Sequence, residues 1–324
     1  MKFFLPAAFL LANPLLHAGD QSCPSLILVR GANGGAEYAA RFDSQVQAWQ
    51  KAASRAGVEV LLPNAMATPD LPAGETARGA LEKVLTNLSK DGAAPVWLVL
   101  IGHGTWDGKE ARFNLEGPDL SATELAGWLK PVQRPLVIIN TSSSSAPFIP
   151  VLAGPNRTII TATRSGNERN YARFGDSLAA SLEDAAADYD QDGQTSLMEW
   201  FLRAHSRTTE FYLAEGRIQT EHAMIEDNGD GKGTPAAWFR GLRATTKSKD
   251  GTLLDGARSQ QHSLVPDAAS QTMTAVQLAE RDRLEAEINA LREKKGSLPE
   301  DEYYHQLETF FRKLAVLDAG NAPP

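Results

Sequence analysis

Two short, wholly apolar runs constrain this chain more than any other feature. Residues 96–102 read VWLVLIG and residues 136–139 read LVII. Runs of this length with no polar position are strands buried on both faces, as in parallel sheets covered by helices on both sides. Such sheets carry their ligands beyond the carboxyl ends of the strands. The first run delivers His103-Gly104, and the second leads through Asn140-Thr141 into four serines, Ser142 to Ser145. A histidine and a serine cluster are therefore expected side by side at one edge of the sheet.

The surrounding sequence fits that expectation. A strand is predicted over 25–29, and 37–57 carries Phe42, Val46, Trp49 and Ala53 at helical spacing. A second strand at 58–63, a second helix at 76–88 and a fifth strand at 157–163 continue the alternation, which predicts α/β with a mostly parallel sheet and helices on both faces. The polar segment 107–119 suits a small hairpin. Ser121-Ala-Thr-Glu124 is a capping box that starts a helix. This periodicity alone fits flavodoxin-like topologies equally well.

Several pieces in order resemble the caspase and legumain superfamily of cysteine peptidases, and the resemblance covers roughly 26–213. They are Gly31-Ala-Asn33-Gly34 followed by Tyr38 and Asp43, the strand ending in IGHGT, the next ending in NTSSSSA, and ITATRSGNERNYARFGDSLAASL after the fifth strand. The resemblance implies a caspase-haemoglobinase fold, with His103 as the family's base and Gly104 contributing a backbone N–H to the oxyanion hole. Ser142 falls on the nucleophilic cysteine. Glu37 falls where legumains have a histidine-orienting Asn, Ala39 on a substrate-pocket Arg, and Asn140 on the acidic residue before the Ala-Cys pair.

Two functions follow from those positions. A serine hydroxyl needs a base to take its proton, and the base needs an acceptor behind it. Ser142, His103 and Glu37 can fill these roles as a serine-type peptidase or esterase. A histidine placed for a thiol need not deprotonate a much less acidic hydroxyl. The other reading is therefore a pseudo-peptidase, a binding or scaffold module that takes a peptide or protein partner.

Asp188-Tyr-Asp190-Gln-Asp192-Gly193-Gln194-Thr-Ser196-Leu-Met-Glu199 resembles an EF-hand calcium loop. It has carboxylates at positions one, three and five, glycine at six, the carbonyl of Gln194 at seven, Ser196 at nine and a bidentate-capable Glu at twelve. The cofactor expected is Ca2+. A weaker copy, Glu226, Asn228 and Asp230 with Gly231 at six, has Ala237 at twelve and reads either as a second site or as a glycine-rich turn.

Residues 1–18 combine Lys2, an apolar stretch and Leu16-His17-Ala18, the pattern of a cleavable secretory signal, which predicts a secreted or periplasmic protein. No later run is long enough to span a bilayer. Cys23 is the only cysteine, which excludes an intramolecular disulfide and a cysteine-based zinc site. The net charge of −8 argues against nucleic-acid binding. The main domain is expected over 24–243, with a polar linker or long loop over 244–272. A helical hairpin over 273–318 follows, with Leu284, Ile288 and Leu291 on one face of its first helix. That hairpin folds back on its domain, pairs with a second copy or docks another protein.

Overall fold

The computed structural model describes residues 24–63, 76–88, 90–246, 254–266, 270 and 272–319. The expected signal peptide, Cys23 and parts of the 244–272 segment lie outside the described residues. The chain opens with β1 (Ser25–Arg30) and α1 (Ala36–Ala56). Helix α1 buries Phe42, Val46, Trp49 and Ala53 on one stripe. It stops at Gly57, whose positive φ lets its N–H return to the carbonyls of Ala53 and Ser54. Strand β2 (Glu59–Leu61), helix α2 (Ala77–Asn87) and β3 (Val96–Ile101) follow. Next come three short antiparallel strands, β4 (Gly104–Trp106), β5 (Ala111–Phe113) and β6 (Leu120–Ser121). Helix α3 (Ala122–Leu129) starts on the predicted capping box, with Ser121 and Glu124 exchanging hydrogen bonds.

Strand β7 (Leu136–Asn140) carries the serine cluster into α4 (Ile149–Leu152), and β8 (Arg157–Thr161) completes the parallel part of the sheet. Helices α5 (Phe174–Ser181) and α6 (Leu197–Ala214) precede β9 (Met224–Glu226) and β10 (Thr234–Pro235), which add two antiparallel strands at one edge. A two-stranded ribbon, β11 (Phe239–Arg240) and β12 (Arg243–Ala244), then leads toward α7 (Ala275–Glu293) and α8 (Glu300–Ala319).

The main sheet runs β10-β9-β8-β7-β3-β1-β2, with β2, β1, β3, β7 and β8 all parallel. The chain leaves β1 outward to β2, then crosses back to β3 and onward to β7 and β8. The order therefore reverses between β1 and β3, and the crevice this opens lies beyond their carboxyl ends. Residues alternate between two apolar layers. Trp97, Val99 and Ile101 face one layer with Phe42, Trp49, Trp200 and Phe201. Val96, Leu98 and Leu100 face the other with Leu81, Leu125, Leu129 and Phe148.

Three segments differ from their sequence reading. The predicted 107–119 hairpin is the middle of a three-stranded sheet reaching from Gly104 to Ser121. Residues 174–187, which flank the acidic loop with a helical pattern in the sequence, form a helix only as far as Ser181, because Asp184 turns the chain: its carboxylate accepts from the Ala186 N–H and pairs with Arg203 and Arg207. Within the predicted linker, Asp255, Ser259 and Leu264 are buried, so 254–266 packs against the domain rather than standing in solvent. The helical hairpin buries Leu284, Ile288, Leu291 and Tyr303, which belong to neither layer of the sheet. Among the described residues, no helix is long and apolar enough to cross a membrane.

Candidate functional site

His103 and the serine cluster do stand at adjacent strand ends, since β3 and β7 pair directly. Two glycines make the approach possible. A Cβ on Gly104 would lie 2.6 Å from Ser142 Oγ, and one on Gly34, at φ +66°, would press on His103 Nε2. The His103 ring is boxed edge-on by Tyr38 and Phe42, with centroids 4.8 and 5.2 Å away. Tyr171 closes a third side at 6.0 Å. Burial in this aromatic box lowers the His103 pKa, partly offset by a hydrogen bond to the backbone of Asn33.

The hydroxyl of Ser142 is engaged elsewhere. It donates to Asn140 Oδ1 at 2.6 Å, and the Ser142 N–H donates to the same oxygen at 3.1 Å. Ser142 is 0% exposed. The Gly104 N–H, expected to serve an oxyanion, donates instead to Ser143 Oγ at 3.3 Å, and that hydroxyl donates back to the Gly104 carbonyl at 3.1 Å. Ser145 is tied to Thr163. Ser144 sits at φ +53° with a buried hydroxyl that has no partner among the described residues, its N–H held by the Glu168 carbonyl. Glu37 is exposed in the first turn of α1, and no hydrogen bond joins it to His103 among the described residues. The structure thus brings His103, Gly104 and Ser142 to one edge but leaves the predicted relay unconnected.

Asn140 is the residue whose part sequence reading missed. Its side chain turns back on its own strand end and accepts from Ser142, an Asx-type turn that the Asn-Thr-Ser spelling permits. Tyr171, too, belongs to the crevice. Its hydroxyl donates to Asp176, which also accepts from Gln45 and Arg41, so the wall beside His103 is fixed to α1 and α5.

The acidic loop is the second candidate. Carboxylate oxygens of Asp188, Asp190 and Asp192 all lie within 4.8 Å of one another. Burial and the neighbouring carboxylates push Asp192 up to about 6, and burial also raises Asp190 and Glu199. Three like charges this close disfavour their own ionisation unless a cation joins them, so the donor set suits a hard divalent ion. Glu199 is buried at the start of α6, its Oε1 accepting from the N–H of Tyr189 and Asp190 and its Oε2 from Ser196. Ser196 accepts in return from the Glu199 N–H. Gln194 Oε1 accepts from Ser270 Oγ, which in turn takes a bond from Arg281 of α7, so the helical hairpin is tied to this loop. Glu285 of α7, pushed up to about 7 by burial, feels the charges of Asp192 and Asp190.

The weaker acidic turn follows β9. Glu226 is fully buried and Asn228 and Asp230 lie on the turn. Burial and the nearby Asp255 push Glu226 up to about 7, and burial lifts Asp255 to about 6.

Fold and crevice together define an α/β protein with a mostly parallel central sheet and a histidine at its switch point. Among solved structures it is similar to caspase-1 from Spodoptera frugiperda, at 12% identity and a TM-score of 0.41, covering 70% of this chain and 94% of that one. It is also similar to the Drosophila initiator caspase Dronc, at 12% identity and a TM-score of 0.39, covering 65% and 81%. A Geobacter sulfurreducens protein follows at 14% identity and a TM-score of 0.35, covering 57% and 89%. No protein-family profile matches the sequence, and no curated protein does.

Proposed function

We propose that this chain is an exported, calcium-stabilised protein on a caspase/legumain-like scaffold, and that its histidine–serine crevice binds a peptide or protein segment without cleaving it. The observation that carries the reading is the bond from the Ser142 hydroxyl to Asn140. A nucleophilic serine must offer its proton to a base and its oxygen to a substrate. Here the proton is committed to an amide oxygen, the oxygen is sealed from solvent, and the histidine is held by aromatic rings. What remains at the switch point is a half-buried, neutral-leaning imidazole set among aromatic rings, groups suited to recognition.

Calcium at 188–199 would act as a structural ion, drawing Asp188, Asp190 and Asp192 together at the start of α6 with Glu199 as the expected bidentate ligand. The hairpin offers a further surface for self-association, because Tyr304 and Phe311 on the outer face of α8 are 48% and 45% exposed.

The test is a fluorophosphonate probe applied to the mature protein. No labelling is expected. Labelling of the wild type that disappears in both Ser142→Ala and His103→Ala would establish the serine hydrolase instead.

A further inference from the structure

The turn after β9 repeats the construction of the 188–199 loop, and a residue far along the chain stands where its own sequence lacks one. Positions can be counted from Asp188 in one and from Glu226 in the other. At position six both have glycine at positive φ, Gly193 at +86° and Gly231 at +75°. Each glycine N–H donates to the position-one carboxylate, at 3.1 Å and 3.5 Å. At position five, Asp192 and Asp230 each accept from the N–H of position seven, at 2.8 and 2.7 Å.

Position twelve breaks the match, with Glu199 in the first loop and Ala237 in the second. In the first loop Glu199 Oε1 accepts from the N–H groups of positions two and three, Tyr189 and Asp190, at 2.8 and 3.4 Å. Its Oε2 accepts from the hydroxyl at position nine, Ser196, at 2.8 Å. In the second loop Asp255 does all of this. Its Oδ1 accepts from the N–H groups of Asp227 and Asn228 at 2.8 and 3.2 Å. Its Oδ2 accepts from the hydroxyl at position nine, Thr234, at 2.6 Å.

Hydrogen bonds of this kind organise a turn without requiring a ligand. The group that points to one is Glu226. Its side chain is 0% exposed, and Oε2 is sealed from water with no hydrogen-bond partner among the described residues, while the charges of Asp255 and Asp227 act on the group. A buried carboxylate oxygen with no donor, set among like charges, is unfavourable until a proton or a cation meets it. Oxygen donors alone, in a glycine-hinged turn, select a hard divalent ion.

We propose that Glu226, Asn228, Asp230 and Asp255 form a second calcium site, with Asp255 standing in from outside the loop for the missing twelfth ligand. The site has a structural reach. Gly229 and Gly231 lie against Gly154 and Pro150, so the ion would brace the turn on which α4 rests, directly after the serine cluster.

The experiment is isothermal titration of calcium into the full mature chain after stripping its divalent ions. Wild type takes up two equivalents. Asp255→Asn takes up one, and so does Asp230→Asn, which changes an exposed side chain and keeps the buried network whole if Asp255→Asn fails to fold. Glu199→Gln also takes up one, now at the second site. One equivalent in wild type that survives Asp255→Asn and is lost in Glu199→Gln overturns this proposal alone. Two equivalents retained by either Asp255→Asn or Asp230→Asn overturns it as well. No uptake by wild type overturns both this site and the calcium reading of 188–199.

Discussion

Stabilisation by calcium should grow as pH rises, and the buried carboxyls set its size. Asp255 is raised from 3.8 to about 6, chiefly by burial. It is 4% exposed, so ionising it in the cation-free folded chain costs about 3 kcal/mol more than in the unfolded chain. Glu226 and Asp192 are raised in the same direction. For a carboxyl whose folded pKa is raised, the stability it contributes is present below its unfolded pKa and is lost as pH climbs through the folded value. Without calcium the chain therefore weakens between about pH 4 and pH 7. Three histidines act in the opposite sense over part of that range. His262 is lowered to about 4 by burial, and burial also lowers His205 and His103. None of them belongs to either acidic loop, so their effect cancels when melting temperatures with and without calcium are subtracted at each pH. That difference should widen from about pH 5 to about pH 7.5. Asp255 alone corresponds to about 6 to 12 °C in a domain of this size. Differential scanning calorimetry in millimolar calcium and in chelator measures it. A difference that stays constant or shrinks as pH rises would refute the reasoning.

Three further outcomes are expected. Ser144→Gly should raise stability by about 1 kcal/mol, read as a higher denaturant midpoint, because glycine accepts φ +53° freely and the lost hydroxyl has no partner among the described residues; a lower midpoint would show that the hydroxyl matters. Glu221→Ala should cost about 1 to 3 kcal/mol by chemical denaturation, since its buried carboxylate accepts from the N–H groups of Arg173 and Phe174 at the start of α5 and from the Tyr212 hydroxyl; an unchanged midpoint would show that solvent replaces it. A chain ending at 272 should keep a single cooperative melting transition, because the hairpin's buried residues join neither layer of the sheet; loss of cooperativity would make the hairpin part of the core.

Where the chain is apolar and regular, its sequence was nearly sufficient. The runs at 96–101 and 136–140 form adjacent central strands, and the Ser121 capping box starts a helix as its spelling requires. Failure came where one side chain chooses among near-equal hydrogen bonds. Nothing in NTSSSSA states that Ser142 will turn to Asn140 rather than to His103. In the fold the hydroxyl takes the acceptor two residues back on its own chain, while Tyr38 and Phe42 pack around the imidazole. Asp255 was illegible for a different reason. It lies beyond any loop periodicity, and only the pairing of β9 with β8 and β10 brings the turn that it completes into place. Its segment looked like a polar connector because its buried residues are mostly polar, held by backbone N–H groups rather than by apolar contact.

The parallel arrangement of the central strands also governs how this protein reaches its folded state. Ser25 pairs with Val96, Val96 with Leu136, and Leu136 with Arg157, so each of these contacts closes a long loop before any strand is satisfied. Assembly of such a sheet is slow, since closure entropy is lost well before burial repays it. Meanwhile VWLVLI, uncharged and without proline, is left in the open with both faces apolar, the composition that pairs most readily with another copy of itself. Refolding yield should therefore fall steeply with protein concentration. A charge introduced into that strand to suppress aggregation would lie inside the sheet, so protection has to come from dilution, from speed or from a chaperone.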